Sequence, residues 1–200
     1  MLRKGFTIVE ILIVVAIFSL MAALIFNVFI LSQKFYRKTE DSSELLQNGR
    51  IALERISRDL RQASELVTQL PQVPDVPQNP PPSELEFQDG HTPSPYQDLG
   101  SNYYYIRYYV NPDTSELHRQ YRVYCYDSCA ACSGYYRWND SKMEGGDDLH
   151  TQPCDLEDKV VAEYVRSLQF WGLGTVNISL SLNKGGQTVD LQTGILGRNF

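Results

Sequence analysis

The apolar residues of this chain are concentrated in one block. From Ile11 to Leu31 the sequence reads ILIVVAIFSLMAALIFNVFIL, 21 residues without a charge, a Pro or a Gly, in which only Ser19 and Asn27 are polar. At the α-helical rise the block spans about 31 Å, close to the hydrocarbon thickness of a bilayer. A helix apolar on every side needs lipid or a deep protein core around it, and a chain of 200 residues has no core deep enough. The block therefore predicts a membrane-resident helix. A secretory signal has a shorter apolar core and a small-residue cleavage site after it. Here SQKFYRKTEDS follows instead, the polar continuation of a helix leaving the membrane. Arg3 and Lys4 place residues 1–5 in the cytoplasm and the bulk of the chain outside, while Lys34, Arg37 and Lys38 oppose that orientation.

After Leu31 the pattern changes to an amphipathic one. Between Ser32 and Leu70 there is no Pro and one Gly, Gly49. Leu46, Leu53, Ile56, Leu60, Ala63 and Val67 fall at three- and four-residue spacings and form one stripe. Glu54 and Arg58 stand four apart on the opposite face. The pattern predicts one helix from about Phe6 to about Val67, on the order of 90 Å long. Residues 6–31 would lie in lipid, and residues 32–70 would lay a stripe on a globular part until Pro71 ends the helix. Eight prolines follow between Pro71 and Pro95, so residues 71–98 read as a stiff connector holding one short strand, Glu84–Phe87.

Residues 99–200 read as β structure. Tyr103–Val110 (YYYIRYYV) and Leu117–Tyr126 flank a turn at Asn111-Pro112-Asp113-Thr114 and predict an antiparallel hairpin. Val160–Phe170 reads as one further strand, with a short helix as the alternative. Val176, Ile178, Leu180 and Leu182 alternate with polar residues, and Lys184-Gly185-Gly186 turns the chain into a partner strand, Gln187–Leu191. A helix stripe covered by an antiparallel sheet is an α+β fold.

Lys and Arg number 18 and Asp and Glu 24, a net charge of -6. That balance disfavours a nucleic-acid protein, since phosphate binding needs positive charge. The 13 tyrosines crowd into the β region. Their rings can stack on glycans or bases, but on half-buried strands they serve more often as packing residues with a wet hydroxyl. No Ser/His/Asp set, phosphate-binding Gly loop or carboxylate pair stands out, so the reading is of a non-enzyme without a cofactor.

One charge is out of place. Glu10 sits directly before the apolar block, where an unpaired carboxylate is costly unless it touches water, is paired or has a function. The string Lys4-Gly5-Phe6-Thr7-Ile8-Val9-Glu10, with the apolar run behind it, resembles the class III signal of type IV pilins and type II secretion pseudopilins. The resemblance implies a prepilin peptidase that cuts after Gly5 and N-methylates Phe6 as the new first residue. It also implies that Glu10 pairs with the N-terminal amine of a neighbouring subunit. The implied partners are the peptidase, other pilin or pseudopilin subunits, an inner-membrane assembly platform and lipid. Many major pilins carry a Pro midway along the apolar segment; its absence here favours a low-abundance component. Residues 47–63 (QNGRIALERISRDLRQA) and the C-terminal run VRSLQFWG, VNISLSL and GILGRN are similar to minor pilin W and pseudopilin J proteins.

The four cysteines, Cys125, Cys129, Cys132 and Cys154, lie in an insertion at residues 125–158. Their spacing formally matches a radical-SAM iron–sulfur motif, but that chemistry needs a large barrel and a reducing compartment. Outside the cytoplasm the default is two disulfides with the pairing open. A zinc site using Cys129, Cys132, His150 and Cys154 and a set of free thiols are the alternatives. Asn139–Asp158 holds seven acidic residues and one Lys. It reads as a solvated loop, with a calcium site at Asp140, Asp147 and Asp148 as the alternative.

The expectation is a minor pilin or pseudopilin in the cytoplasmic membrane, single-pass with its C-terminal domain extracytoplasmic, later drawn into a pilus or pseudopilus. The alternative from another class is a membrane-anchored binding or adhesive module using the Tyr-rich sheet or the Cys loop. An extracytoplasmic enzyme ranks third.

Overall fold

The computed structural model describes residues 7–74, 77–90 and 103–197. Helix α1 (Ile8–Gln62) runs unbroken for 55 residues, about 82 Å at the helical rise. Thr7 caps its N-terminus, and no Pro interrupts it. Residues 7–40 are exposed, and burial begins at residue 41. From there Leu45, Gly49, Ala52, Leu53, Ile56 and Leu60 turn inward. Burying each Leu or Ile side chain stabilises the fold by about 1.5–3 kcal/mol, so packing rather than propensity holds this half of the helix. Gly49 permits the closest approach: a Cβ there would stand 2.3 Å from Cδ1 of Leu191.

The helix stops at Gln62, earlier than the expected end near Val67 to Leu70, and Pro71 is not what stops it. Ala63 is already extended, at φ -60 and ψ 140. Ser64 N–H donates to the Gln88 carbonyl at 3.0 Å and Val67 N–H to the Glu86 carbonyl at 2.9 Å. The sheet takes these amides from the helix. A 3–4 spacing that runs past the helix end could not reveal a long-range competitor.

Among the described residues ten strands follow: β1 (Glu65–Leu66), β2 (Glu84–Gln88), β3 (Tyr105–Asn111), β4 (Glu116–Cys125), β5 (Ser141–Glu144), β6 (Asp147–His150), β7 (Gln152–Ala162), β8 (Val165–Trp171), β9 (Thr175–Lys184) and β10 (Gln187–Leu196). They form a five-stranded sheet in the order β1-β2-β3-β4-β7, a three-stranded sheet in the order β10-β9-β8, and the separate hairpin β5-β6. All pairings are antiparallel. The fold is α+β, one long N-terminal helix packed on antiparallel sheet. Both sheets and the second half of α1 share a single core.

Two expectations change here. The run Val160–Phe170 is not one strand: Ala162 ends β7 in the first sheet and Val165 opens β8 in the second. Between them Tyr164 takes φ 63, a left-handed turn that a hydropathy pattern does not register. The insertion at residues 125–158 is also shorter than expected. Its last residues belong to β7, which pairs with β4 from Cys125↔Gln152 to Leu117↔Ala162. The Pro-rich segment does more than connect. The carbonyls of Pro71 and Pro82 accept from Gly172 N–H at 2.8 Å and Phe170 N–H at 3.2 Å, so this segment lines the outer edge of β8.

One ion pair lies inside the core. Asp59 of α1 is 7% exposed and Arg119 of β4 is 8% exposed. Arg119 Nε donates to Asp59 Oδ2 at 2.7 Å, and the Tyr108 hydroxyl donates to the same oxygen at 2.8 Å. Helix and sheet are thereby fixed in register as well as packed.

Candidate functional site

The N-terminal end of α1 is organised around Glu10. Thr7 is extended at φ -78 and ψ 149, and a capping box closes around it. Glu10 N–H donates to Thr7 Oγ1 at 3.3 Å. In return Glu10 Oε2 accepts from Thr7 N–H and from Thr7 Oγ1, each at 2.9 Å. Both bonds go to one carboxylate oxygen, which leaves Oε1 open among the described residues. Gly5 and Phe6, the expected cleavage and methylation positions, lie outside the described residues. Behind Glu10 the apolar face has no protein cover: an 18-residue window of α1 has a mean hydropathy of 2.9, and none of it is buried. The helix is long and apolar enough to cross a membrane, and a globular C-terminal domain follows it. Ser19 turns its hydroxyl back to the Val15 carbonyl at 2.8 Å, which hides one of the two polar groups in the block.

Several tyrosines of the first sheet are engaged in packing. Tyr104, Tyr105 and Tyr108 are fully buried, and their neighbours' hydroxyls are held by acids. Tyr124 donates to Glu86 Oε1 at 2.6 Å, Tyr109 to Asp158 Oδ2 at 2.8 Å, and Tyr121 bonds Asp89. Burial and the bond to Asp158 push the Tyr109 hydroxyl up to about 12. Arg122 bridges Glu86 at 3.0 Å and Asp155 at 2.8 Å, and Arg107 pairs with Glu84. This face of the first sheet therefore neutralises its own charges. Burial pushes the Asp158 carboxyl up, but bonds from His118, Tyr109 and Gln120 outweigh it and hold it below its ordinary value of 3.8. The stabilisation that Asp158 contributes is present above that value and is lost as pH falls below it. A groove of about 1070 Å³ between β8 and the β3–β4 turn holds Arg166 as its one charged residue, too little for acid–base chemistry.

The cysteines form two disulfides, Cys125–Cys132 and Cys129–Cys154. Zinc would need the thiolates these bonds consume. His150 lies on the exposed β5-β6 hairpin, with Asp148 at 3.7 Å. Asp140 uses Oδ2 to accept from Arg137 N–H at 3.0 Å, and Asp147 and Asp148 are adjacent on β6, on opposite faces. No group of three metal-binding side chains forms among the described residues. The bonds close loops of 25 and 7 residues. On chain entropy the longer is worth about 3.5 kcal/mol and the shorter about 2.4 kcal/mol. Urea unfolding of the full chain in detergent micelles should show Cys129→Ser with Cys154→Ser losing more stability than Cys125→Ser with Cys132→Ser. The reverse order would refute this ranking.

The family described as the prokaryotic N-terminal methylation motif matches residues 1–26, a stretch that covers Gly5, Phe6, Glu10 and the apolar block as far as Phe26. No curated protein shows a significant match to the chain, and neither does any solved structure. Residues 1–26 thus carry a prokaryotic N-terminal methylation motif, and the domain behind it is described by its own fold alone.

Proposed function

We propose that this chain is a minor type IV pilin or pseudopilin, a structural subunit without catalytic activity. The observation that carries the reading is the methylation motif at residues 1–26 joined to an apolar helix that the domain leaves bare. A bare apolar helix suits two surroundings in turn: lipid before assembly, and the helices of neighbouring subunits afterwards. Prepilin peptidase cuts between Gly5 and Phe6 and methylates Phe6. The subunit waits in the cytoplasmic membrane with its C-terminal domain outside. The assembly platform then draws it into a pilus or pseudopilus, or into the complex that initiates one.

Glu10 sets the register of that step. Its carboxylate already receives Thr7 through Oε2, and Oε1 is the oxygen offered to the amine of the neighbouring subunit. Against the alternative of a binding module stands the use already made of its supposed site: the hydroxyls of Tyr109, Tyr121 and Tyr124 bond Asp158, Asp89 and Glu86, and the cysteines are paired. N-terminal mass analysis of chain from a host with its own assembly machinery tests the processing. The expected product begins at Phe6 and is one methyl group heavier than its sequence. Gly5→Leu should leave the precursor uncut, because a side chain there keeps the peptidase from the backbone. Wild-type chain that retains residues 1–5 in that host would overturn the reading.

A further inference from the structure

The second sheet has one edge closed and one open. On β8, Val165 N–H donates to the Ser115 carbonyl at 2.8 Å, and the carbonyls of Pro82 and Pro71 take the amides of Phe170 and Gly172. At the other edge β10 pairs with β9 over ten residues without a bulge. It contains no Pro, Lys or Arg, and Asp190 is its one charge. The outer strands of the first sheet differ: β1 is two residues long, and β7 carries Pro153, Lys159 and two register shifts. Those are the devices that keep an edge from recruiting another strand, and β10 has none of them.

The pairing rule fixes which backbone groups are open. Gly185 and Gly186, at φ 57 and 78, make a two-residue turn, so Lys184 and Gln187 form a hydrogen-bonded pair. Alternate residues from Gln187 onward then face β9. The N–H and C=O groups of Thr188, Asp190, Gln192 and Gly194 face outward, and none has a backbone partner among the described residues. Beside this edge α1 carries Arg50, Glu54, Arg58 and Arg61, which with Leu191 and Gln192 line a groove of about 540 Å³. Arg50 and Arg61 form no ion pair among the described residues. Arg58 reaches Asp59 at 3.7 Å, but Asp59 is already held by Arg119 at 2.7 Å. The groove is net positive on a chain of net charge -6.

We propose that the open edge of β10 receives an extended segment of a partner protein as a fourth strand, with acidic residues at alternate positions facing Arg50, Arg58 and Arg61. Side chains on one face of an added strand repeat about every 6.6–6.8 Å. Arg50 and Arg58 stand eight apart on the helix, about 12 Å, close to two of these repeats, and Glu54 lies between them, so the acids that meet arginine are those on every second repeat. Main-chain bonds supply the affinity, and the arginines select the sequence. The assembly reading above supplies only the source of the segment, a neighbouring subunit.

The test uses the full chain in detergent micelles and two blocked eight-residue peptides, one alternating Glu with Val and one alternating Lys with Val. The acidic peptide should bind, more weakly as salt rises, and the basic one should not. Replacing Arg50, Arg58 and Arg61 together with Ala should weaken binding at least tenfold. Gln192→Pro removes an outward amide and blocks the edge, with a similar loss expected, whereas Gln192→Ala keeps that amide and should lose far less. Amide exchange at Asp190, Gln192 and Gly194 should slow in the complex. If Gln192→Pro does not fold, that exchange measurement on the unaltered chain decides. Equal binding of both peptides overturns the charge argument, and binding without new protection at those amides overturns strand addition. A chain that takes no peptide but self-associates through β10 makes a second copy the occupant and overturns the proposal. Leader and Glu10 stay untouched throughout, so failure here and failure of the assembly reading are separate results.

Discussion

Glu10→Ala is expected to be cleaved after Gly5, to remain in the membrane and to be missing from the assembled fibre or its initiating complex. The size of this effect comes from charge rather than from helix stability. Losing the capping box costs about 0.5–2 kcal/mol, which a 55-residue helix tolerates. Losing the carboxylate leaves a neighbour's amine without its partner among apolar helices. That amine, with an ordinary pKa of about 7.7–8.0, is largely protonated at pH 7. In a low-dielectric setting the pair is worth far more than a surface pair, although desolvation returns part of the gain. Glu10→Gln separates the two contributions. Gln at this position still closes a capping box, so helix stability is retained and only the charge is gone. It should fail in assembly nearly as completely as Ala. Fractionation of membrane and sheared fibre, with the chain followed by antibody, reads the outcome. If both variants enter the fibre at the wild-type level, Glu10 is a headgroup-level carboxylate and the assembly mechanism is wrong.

The second large effect is expected inside the domain. Asp59→Ala should destabilise the fold by about 3–5 kcal/mol, the cost of leaving a buried charge without its partner. Arg119 would keep its neighbour Tyr121, whose ring lies 4.5 Å away, but no carboxylate in place of Asp59, and the Tyr108 hydroxyl would lose its acceptor. Urea unfolding in micelles, followed by tryptophan fluorescence, measures the loss. Replacing the whole set, with Asp59→Leu, Arg119→Met and Tyr108→Phe, should cost less than Asp59→Ala alone, because no polar group is then left stranded. An Asp59→Ala chain within 1 kcal/mol of wild type, a margin typical of an exposed pair, would show that water reaches Arg119.

What the sequence made legible follows the range of the interactions concerned. The apolar block, the Leu53, Ile56 and Leu60 stripe and the alternation in β9 are local periodicities, and each appears as an element in the structure. The Lys184-Gly185-Gly186 turn is equally local, and β9 and β10 meet across it. Boundaries set by distant partners were not readable. The helix ends where Ser64 finds Gln88, and β7 gives way to β8 where Tyr164 turns left-handed. The cysteine pairing belongs to the same class. Four cysteines allow three connectivities; Cys154 lies on β7, but Cys129 sits in the short turn beyond the end of β4, and the fold-back of that turn onto β7 is not a local pattern. The methylation motif was legible because its chemistry resides in consecutive residues. The Asp59–Arg119 pair spans 60 residues, and neither residue differs in pattern from a surface charge.

The seating of α1 on β10 has a mechanical side. The Asp41 carboxylate lies beside Gly185, Glu44 holds Lys184 at 2.6 Å, and Gly49 meets Leu191. Leu53 and Ser57 then border Leu191, Gln192 and Thr193. Helix and strand thus advance together from the hairpin turn. A pull on the N-terminal end of the helix, as in drawing a subunit out of lipid, acts along this seam. It loads the contacts in shear, all at once, instead of peeling them open one by one. Survival under such a pull is a matter of unfolding rate, not of equilibrium stability. The domain is therefore braced in the direction from which tension arrives.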